Sequence, residues 1–267
     1  MSSIIDKSYK RLSIQVSLSG LSFAVFDVIT DQIIVLHVIP FNTFQRTSKI
    51  EDLFAVVFHD HPELRNQYDE IKIIHSNSLC TFVPTALFDE EFIGSYLQYN
   101  TKVFETDYFT HDSLVTYDME NVYIPYVNMN NFFIDQYGAF EYQHAHTLLV
   151  QKLLDYSKNS DQRKMYVHVS SGHFEIVIIE NRKLQYYNSF EFKTPEDFMY
   201  YILFTAEQLH LNPETFELEM LGAISEEDAL FQMAYTYIRN VSLMPLRFIV
   251  NGRTETENRH YFILVHA

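Results

Sequence analysis

Alternation opens the chain. Leu12, Ile14, Val16 and Leu18 are apolar, and Ser13, Gln15, Ser17 and Ser19 between them are polar. That is the period of a strand with one buried face. Gly20 permits a tight turn. Ser22 to Val28 reads as a second strand, Thr30-Asp31-Gln32 as turn chemistry, and Ile33 to Phe41 as a third strand. The period then lengthens. Leu53, Phe54, Val56 and Val57 follow Ser48 and Glu51 at capping-box spacing, which predicts a helix. Further on the pattern predicts a strand at Ile71 to His75, a helix around Leu87 to Leu97, and strands at Val103 to Glu105 and Leu114 to Met119. Helices are expected at Asn131 to Tyr137, closed by Gly138, and at Tyr142 to Tyr156. Ser157 to Arg163 has no apolar residue and reads as a linker.

The opening pattern then returns. Met165 to Val169, Phe174 to Glu180 and Leu184 to Phe192 are again three strands in series. Thr194, Pro195 and Asp197 start a helix, Phe216 to Leu221 is a strand, and Ser225 with Asp228 caps another helix. Arg247 to Val250 and Tyr261 to Val265 are expected as closing strands. Leu12 to Ser17 matches Met165 to Ser170 at an offset of 153 positions. Allowing one gap, Gly20 falls on Gly172 and Val25-Phe26 on Val177-Ile178. Each copy is a β-β-β unit followed by a capped helix. Two copies imply two related α/β lobes with a cleft between them. The expected division is 1–157 and 158–267.

Composition narrows the setting. At 267 residues and 47% hydrophobic, the chain can bury a large core and is not a disordered sequence. It holds 19 Tyr and 23 Phe but no Trp, which suits half-buried surface at lobe or partner interfaces. A formal net charge of −16 repels phosphate backbones and anionic lipid heads, so neither nucleic acid nor a membrane surface is an expected partner. The single cysteine, Cys80, forbids an intrachain disulfide and fits a reducing compartment. Met1 to Arg11 lacks an apolar signal core, and Ile33 to Phe41 is too short to span a bilayer. The expectation is cytoplasmic.

The duplicated β-β-β-α-β-α-β plan resembles the actin, hexokinase and Hsp70 superfamily, with ribonuclease H-like lobes. Several runs also resemble a family of unknown function with the actin-like ATPase fold. They include Leu12-Ser13-Ile14, Phe82-Val83-Pro84 with Leu87-Phe88-Asp89, Asn121 to Pro125, Asn188-Ser189-Phe190, and Glu196-Asp197-Phe198 with Tyr200 to Phe204. The resemblance covers essentially the whole chain. In the superfamily the first hairpin of each lobe grips the phosphates of ATP. The resemblance therefore places a nucleotide cleft at Ser17, Ser19 and Gly20, at Ser170, Ser171 and Gly172, and at Gly222 in Leu221-Gly222-Ala223-Ile224. Active members carry Asp-x-Gly at these turns. The carboxylate holds Mg²⁺, and the glycine lets backbone N–H groups approach a phosphate. Here Leu18 and Ser170 stand two residues before the glycines, and shifting the register by one or two residues brings in no acid. Phosphoryl transfer needs a metal to offset developing charge. The site is thus expected to be degenerate, with no cofactor, and with ATP and Mg²⁺ as the residual possibility. The competing reading is that Gly20 and Gly172 are hairpin glycines needed for a positive φ.

No other constellation points to catalysis. His59-Asp60-His61 sits beside Pro62 without a third ligand at matching spacing, and reads as a solvated loop. His144 and His146 lie on different faces of the expected helix, so no shared ligand role is expected. Cys80 shows no base in sequence and reads as a small buried hydrophobe. Phe198 to Phe204 is apolar all round, which predicts a sandwiched helix, or else an interface anchor at Tyr200, Tyr201 or Phe204. Asp89-Glu90-Glu91 and Glu226-Glu227-Asp228 are helix-start chemistry rather than paired catalytic acids. Two functions remain. One is a non-catalytic binding or scaffold protein, with a protein partner or a second copy of itself. The other is a nucleotide-binding ATPase or phosphotransferase, which rests on fold alone.

Overall fold

A computed structural model describes residues 9–30, 32–41, 49–246 and 254–267. The chain divides into two compact units. One comprises Met1–Leu148 with Ile263–Ala267, and the other Leu149–Phe262.

In the first unit, β1 (Lys10–Ser17), β2 (Gly20–Asp27) and β3 (Gln32–Pro40) form an antiparallel meander. Then come α1 (Ile50–Asp60), β4 (Glu70–His75), an excursion, α2 (Val127–Tyr137), β8 (Glu141–His144) and the first turn of α3 (Ala145–Ser157), whose remainder belongs to the second unit. The sheet order is β3-β2-β1-β4-β8, with β4 parallel to β1 and β8 parallel to β4. The alternation in β1 does what its period requires. Leu12, Ile14 and Val16, with Leu21, Phe23 and Val25 of β2, form one buried face under α1 and α2. Gly138 closes α2 with φ 75°, a left-handed conformation that favours glycine.

The excursion is a three-stranded antiparallel sheet of β5 (Cys80–Pro84), β6 (Thr110–Leu114) and β7 (Met119–Tyr123), in the order β5-β7-β6. It has a small core around Val83, Leu97 and Val122. The helix expected at Leu87 to Leu97 is instead two 3₁₀ segments, Thr85–Leu87 and Glu90–Tyr96. Gly94 sits where a Cβ would press within 3.1 Å of Phe109, tying the second segment to the excursion's core. Val103 to Glu105 is not a strand. Leu114 to Met119 is not one strand either, but the reversal between β6 and β7, turned by Asp118 at φ 51°.

The second unit repeats the plan. β9 (Lys164–Ser170), β10 (His173–Glu180) and β11 (Lys183–Glu191) form the meander. They are followed by α4 (Pro195–Gln208), β12 (Glu217–Gly222), α5 (Ala229–Tyr237), β13 (Asn240–Leu243) and α6 (Glu255–His260). The sheet order is β11-β10-β9-β12-β13. Met165, Val167, Val169, Phe174, Ile176 and Ile178 pack against Phe198, Met199 and Ile202 of α4. The other side of α4 is open. Tyr200 is 60% exposed and Phe204 46%, with their rings stacked at 5.9 Å. The apolar run is therefore buried on one face of the helix and exposed on the other.

Two expected elements change. The helix expected at Tyr142 to Tyr156 begins as strand β8 and becomes helical only at Ala145. The segment expected as a strand at Tyr261 to Val265 is a short helix, α7 (Phe262–Val265). Ser48 and Arg247 to Val250 lie outside the described residues, and the N-cap of α1 is Lys49, without a side-chain cap. The compact units part inside α3, at Leu148/Leu149.

Candidate functional site

The first hairpin turns through two residues. Ser17 pairs with Gly20, leaving Leu18 and Ser19 at the tip. The serine hydroxyls serve the turn itself. Ser17 Oγ accepts the Ser19 N–H at 3.2 Å, donates to Gly20 O at 3.2 Å, and lies 2.9 Å from Ser19 Oγ. Leu18 is 66% exposed. Gly20 is fixed by crowding, because a Cβ there would stand 2.7 Å from Ile39 O.

The second hairpin turns the same way. Ser170 pairs with His173, and Ser171 and Gly172 form the tip. Gly172 has φ 80° and open space around its Cβ position. The offset of 153 runs through both hairpins without a break. The β-bulges fall at Val25/Phe26 and Ile178/Ile179. Within the two meanders the length differs only at the next turn, between Asp27 and Gln32 in one and Glu180 and Lys183 in the other. Gly20 therefore corresponds to His173, not to Gly172, and the expected gap after Ser170 is absent. The positive-φ reading of the glycines applies to Gly172 alone of the two. No carboxylate stands at either tip, from Val16 to Gly20 or from Val169 to His173.

An acid does lie one strand away in the second unit. Glu175 of β10 faces His168 of β9 across the hairpin. Its Oε2 is 2.7 Å from His168 Nδ1, and its Oε1 accepts from Ser189 Oγ at 3.2 Å. Glu175 has no exposed surface. The equivalent pair in the first unit is Gln15 and Ser22. The signal for this dyad was the hairpin register, which pairs residues seven apart in sequence.

The ends of the parallel strands carry the first unit's polar chemistry. His75 closes β4 and is fully buried. Its Nε2 lies 2.9 Å from Asn130 Oδ1, and its Nδ1 accepts the Tyr126 N–H at the start of α2, at 3.3 Å. Those partners fix a neutral tautomer. Burial holds the imidazole down at about 4, against a smaller opposing effect from Asn130. His144, paired with His75 on the neighbouring strand, repeats the device. Its Nδ1 accepts the His146 N–H in the first turn of α3 at 3.1 Å, and its Nε2 faces Asn77 Oδ1 at 3.3 Å. Beside it, Asp112 accepts from Thr147 Oγ1, the His144 N–H and Tyr123 OH. Burial nonetheless raises its carboxyl above the usual range. At the position of His75 the second unit has Gly222, whose φ is 89° and whose Cβ would lie 2.2 Å from Val169 O. Backbone crowding inside that sheet is a sufficient reason for this glycine.

Lys49, Glu51, Asp52, Leu18, Tyr126 and Asn128 line an open groove of about 890 Å³ in the first unit, beside the first hairpin tip. It meets the size of a small-molecule site. Two acids against one lysine at its α1 wall make it a poor host for a triphosphate. The His59-Asp60-His61 motif spends His61 on ring packing, with His37 at 4.8 Å and Phe23 at 5.5 Å. Among the described residues, the group of three metal-ligating side chains that does converge is Cys80, His144 and His146. The assignment of both histidines to one helix had set them on different faces. The strand-to-helix switch at Ala145 brings them together.

A duplicated 3-2-1-4-5 sheet plan with these two hairpins defines the class, the actin-like ATPase fold. The chain belongs to the DUF3822 family, proteins of unknown function, which it matches over residues 2–241. It is similar to a Bacteroides thetaiotaomicron VPI-5482 protein of actin-like ATPase fold and unknown function. The two are 25% identical over 91% of this chain and 94% of that one, with a TM-score of 0.80. PilM, in the PilM-PilN type IV pilus biogenesis complex, shares the fold at 12% identity and a TM-score of 0.61, over 96% of each chain. No curated protein matches the chain. Among the described residues no helix is long and apolar enough to cross a membrane.

Proposed function

We propose that this protein is a non-catalytic binding or scaffold protein with a degenerate nucleotide site. The observation that carries the reading is the first hairpin tip. Where an active member of the fold class needs a carboxylate for Mg²⁺, this chain presents the exposed side chain of Leu18. An alkyl group offers no ligand atom to a hard cation. Ser17 and Ser19 are engaged with each other, and Ser170, Ser171 and Gly172 bring no acid to the second tip. Gly222, also expected in the nucleotide cleft, is accounted for by its close approach to Val169.

The intended ligand is then a protein, either another chain or a second copy of this one. The exposed Tyr200–Phe204 stack on α4 supports this, because aromatic side chains presented to solvent are common interface anchors. PilM's complex with PilN supports the fold's use in protein association. The acidic surface and buried cysteine fit a cytoplasmic setting without nucleic acid or membrane.

The test is a thermal-unfolding scan in magnesium buffer with and without millimolar ATP or ADP. A nucleotide at about a hundred times its Kd would add about 2.7 kcal/mol of stability, a rise of a few degrees. The expected result is no rise. A magnesium-dependent rise with ATP would replace this reading with that of a nucleotide-binding ATPase or phosphotransferase.

A further inference from the structure

Two stretches far apart in sequence, at Cys80 and at His144 to His146, converge at one buried point of the first unit. Cys80 opens β5, His144 closes β8, and His146 lies in the first turn of α3. One ligand atom from each lies within 4.8 Å of the other two, and all three residues are buried. Cys80 Sγ and His146 Nδ1 are 3.4 Å apart. Sulfur at about 2.3 Å and nitrogen at about 2.0 Å on a tetrahedral zinc stand about 3.5 Å from each other. The pair is thus already at the separation of two zinc ligands.

The third ligand is prepared by its neighbour. Asn77 is locked by two bonds of its own. Its Oδ1 accepts the Leu79 N–H at 2.8 Å, and its Nδ2 donates to Ile124 O at 3.0 Å. The same Oδ1 faces His144 Nε2 and so takes the proton of that nitrogen. The lone pair of His144 is left on Nδ1, which points to the start of α3, where His146 stands. A ligating histidine whose other nitrogen donates to a fixed oxygen is the usual outer shell of a zinc site. Zinc at Nδ1 displaces the His146 N–H from this lone pair; that N–H belongs to a helix start, where N–H groups lack intrahelical partners in any case.

We propose that Cys80, His144 and His146 bind one Zn²⁺ through Sγ, Nδ1 and Nδ1. One thiolate with two imidazoles suits zinc rather than magnesium or calcium, which take oxygen. Binding displaces the Cys80 thiol proton to solvent as the Zn–S bond forms. Three protein donors leave one coordination position for water or a small ligand.

The test uses the full chain, stripped of metal by chelator and dialysis, then titrated with Co²⁺ and back-titrated with Zn²⁺. Cys80 is the only cysteine, so a thiolate-to-cobalt charge-transfer band can arise from no other residue. The expected result is that band with tetrahedral visible bands, saturating at one Co²⁺ per chain. One equivalent of Zn²⁺ should abolish both and raise the unfolding temperature by a few degrees. Asn77→Ala, which removes no ligand, should weaken binding about 10–100-fold. Cys80→Ser should lose the charge-transfer band. The absence of a charge-transfer band in the wild-type chain overturns the proposal. So does a band that survives in Cys80→Ser. The wild-type titration decides the matter even if a variant fails to fold, and no nucleotide enters it.

Discussion

The two sheets of this chain share a backbone register and differ in where they put polarity. Leu12, Ile14 and Val16 have the counterparts Met165, Val167 and Val169, and each set lies on the buried face of its sheet. On the opposite face Ala24 and Phe26 keep the buried apolar counterparts Val177 and Ile179, but nearer the hairpin turn the correspondence fails. Gln15 and Ser22 in the first sheet become the buried pair His168 and Glu175 in the second. At the end of the parallel strand the order reverses, with His75 in the first sheet and Gly222 in the second. The face under the helices is constrained by packing, where one methylene too many or too few is felt. The changes in chemistry fall near the strand ends, where His75 meets Asn130 of α2 and His168 meets Glu175. A nucleotide site would need matching carboxylates at both hairpins, and the repeat shows them at neither tip.

The sharpest way to break this comparison is at the dyad. Glu175→Ala leaves His168 buried without its carboxylate, and removes the acceptor for Ser189. Breaking a buried pair in this way costs about 3–5 kcal/mol, readable by urea unfolding. Installing the first hairpin's own pair, with His168→Gln and Glu175→Ser together, should recover part of that loss. A single-variant loss under about 1 kcal/mol would mean that the dyad is solvated and the two hairpins are chemically closer than the geometry says.

The next effect separates His75 from Gly222 by pH. His75 is held at about 4 by burial, below the ordinary histidine value of 6.5. Above pH 6.5 both folded and unfolded chains carry it neutral, and its contribution is fully present. Between 6.5 and about 4 only the unfolded chain binds the proton, so stability falls with pH, by about 3 kcal/mol in all. His260, also lowered by burial and then by the charge of His168, acts in the same direction. Asp112 opposes them, because its raised carboxyl gains a proton on folding as pH drops. Unfolding free energies of wild type and His75→Gln, compared from pH 7 to pH 4, should show a flatter acid limb in the variant. Parallel limbs would remove His75 from the account.

How far the sequence carried depended on the range of the determining contact. The meanders and α4 are written in local periods and caps, and they appear where the pattern puts them; the repeat does too, apart from the gap expected after Ser170. Glu175 escaped a search of turn residues because its partner is across a hairpin. His144 and His146 were separated by treating Tyr142 to Tyr156 as one helix. A four-residue strand, Glu141–His144, is too short for a period to declare itself and exists because β4 offers a free edge. The excursion from Thr85 to Leu97 fell to 3₁₀ turns for a related reason. It is held by a tertiary contact, Gly94 against Phe109, rather than by a helical stripe.

The smallest effect tests the same comparison at the first helix of each repeat. In α4 the cap is complete, with Thr194 Oγ1 accepting the Asp197 N–H and the Asp197 carboxylate returning to the Thr194 N–H. In α1 the equivalent residue is Lys49, extended at φ −64° and ψ 140°, with no side-chain acceptor. Its backbone already has the N-cap conformation, so only the side chain is wrong. Thr194→Ala should cost about 1 kcal/mol, and Lys49→Ser should gain about half of that or more. If Lys49→Ser gains nothing, the α1 N-terminus already has an acceptor in solution. The groove it lines, with Leu18 and Tyr126, would then be the first place to look for one.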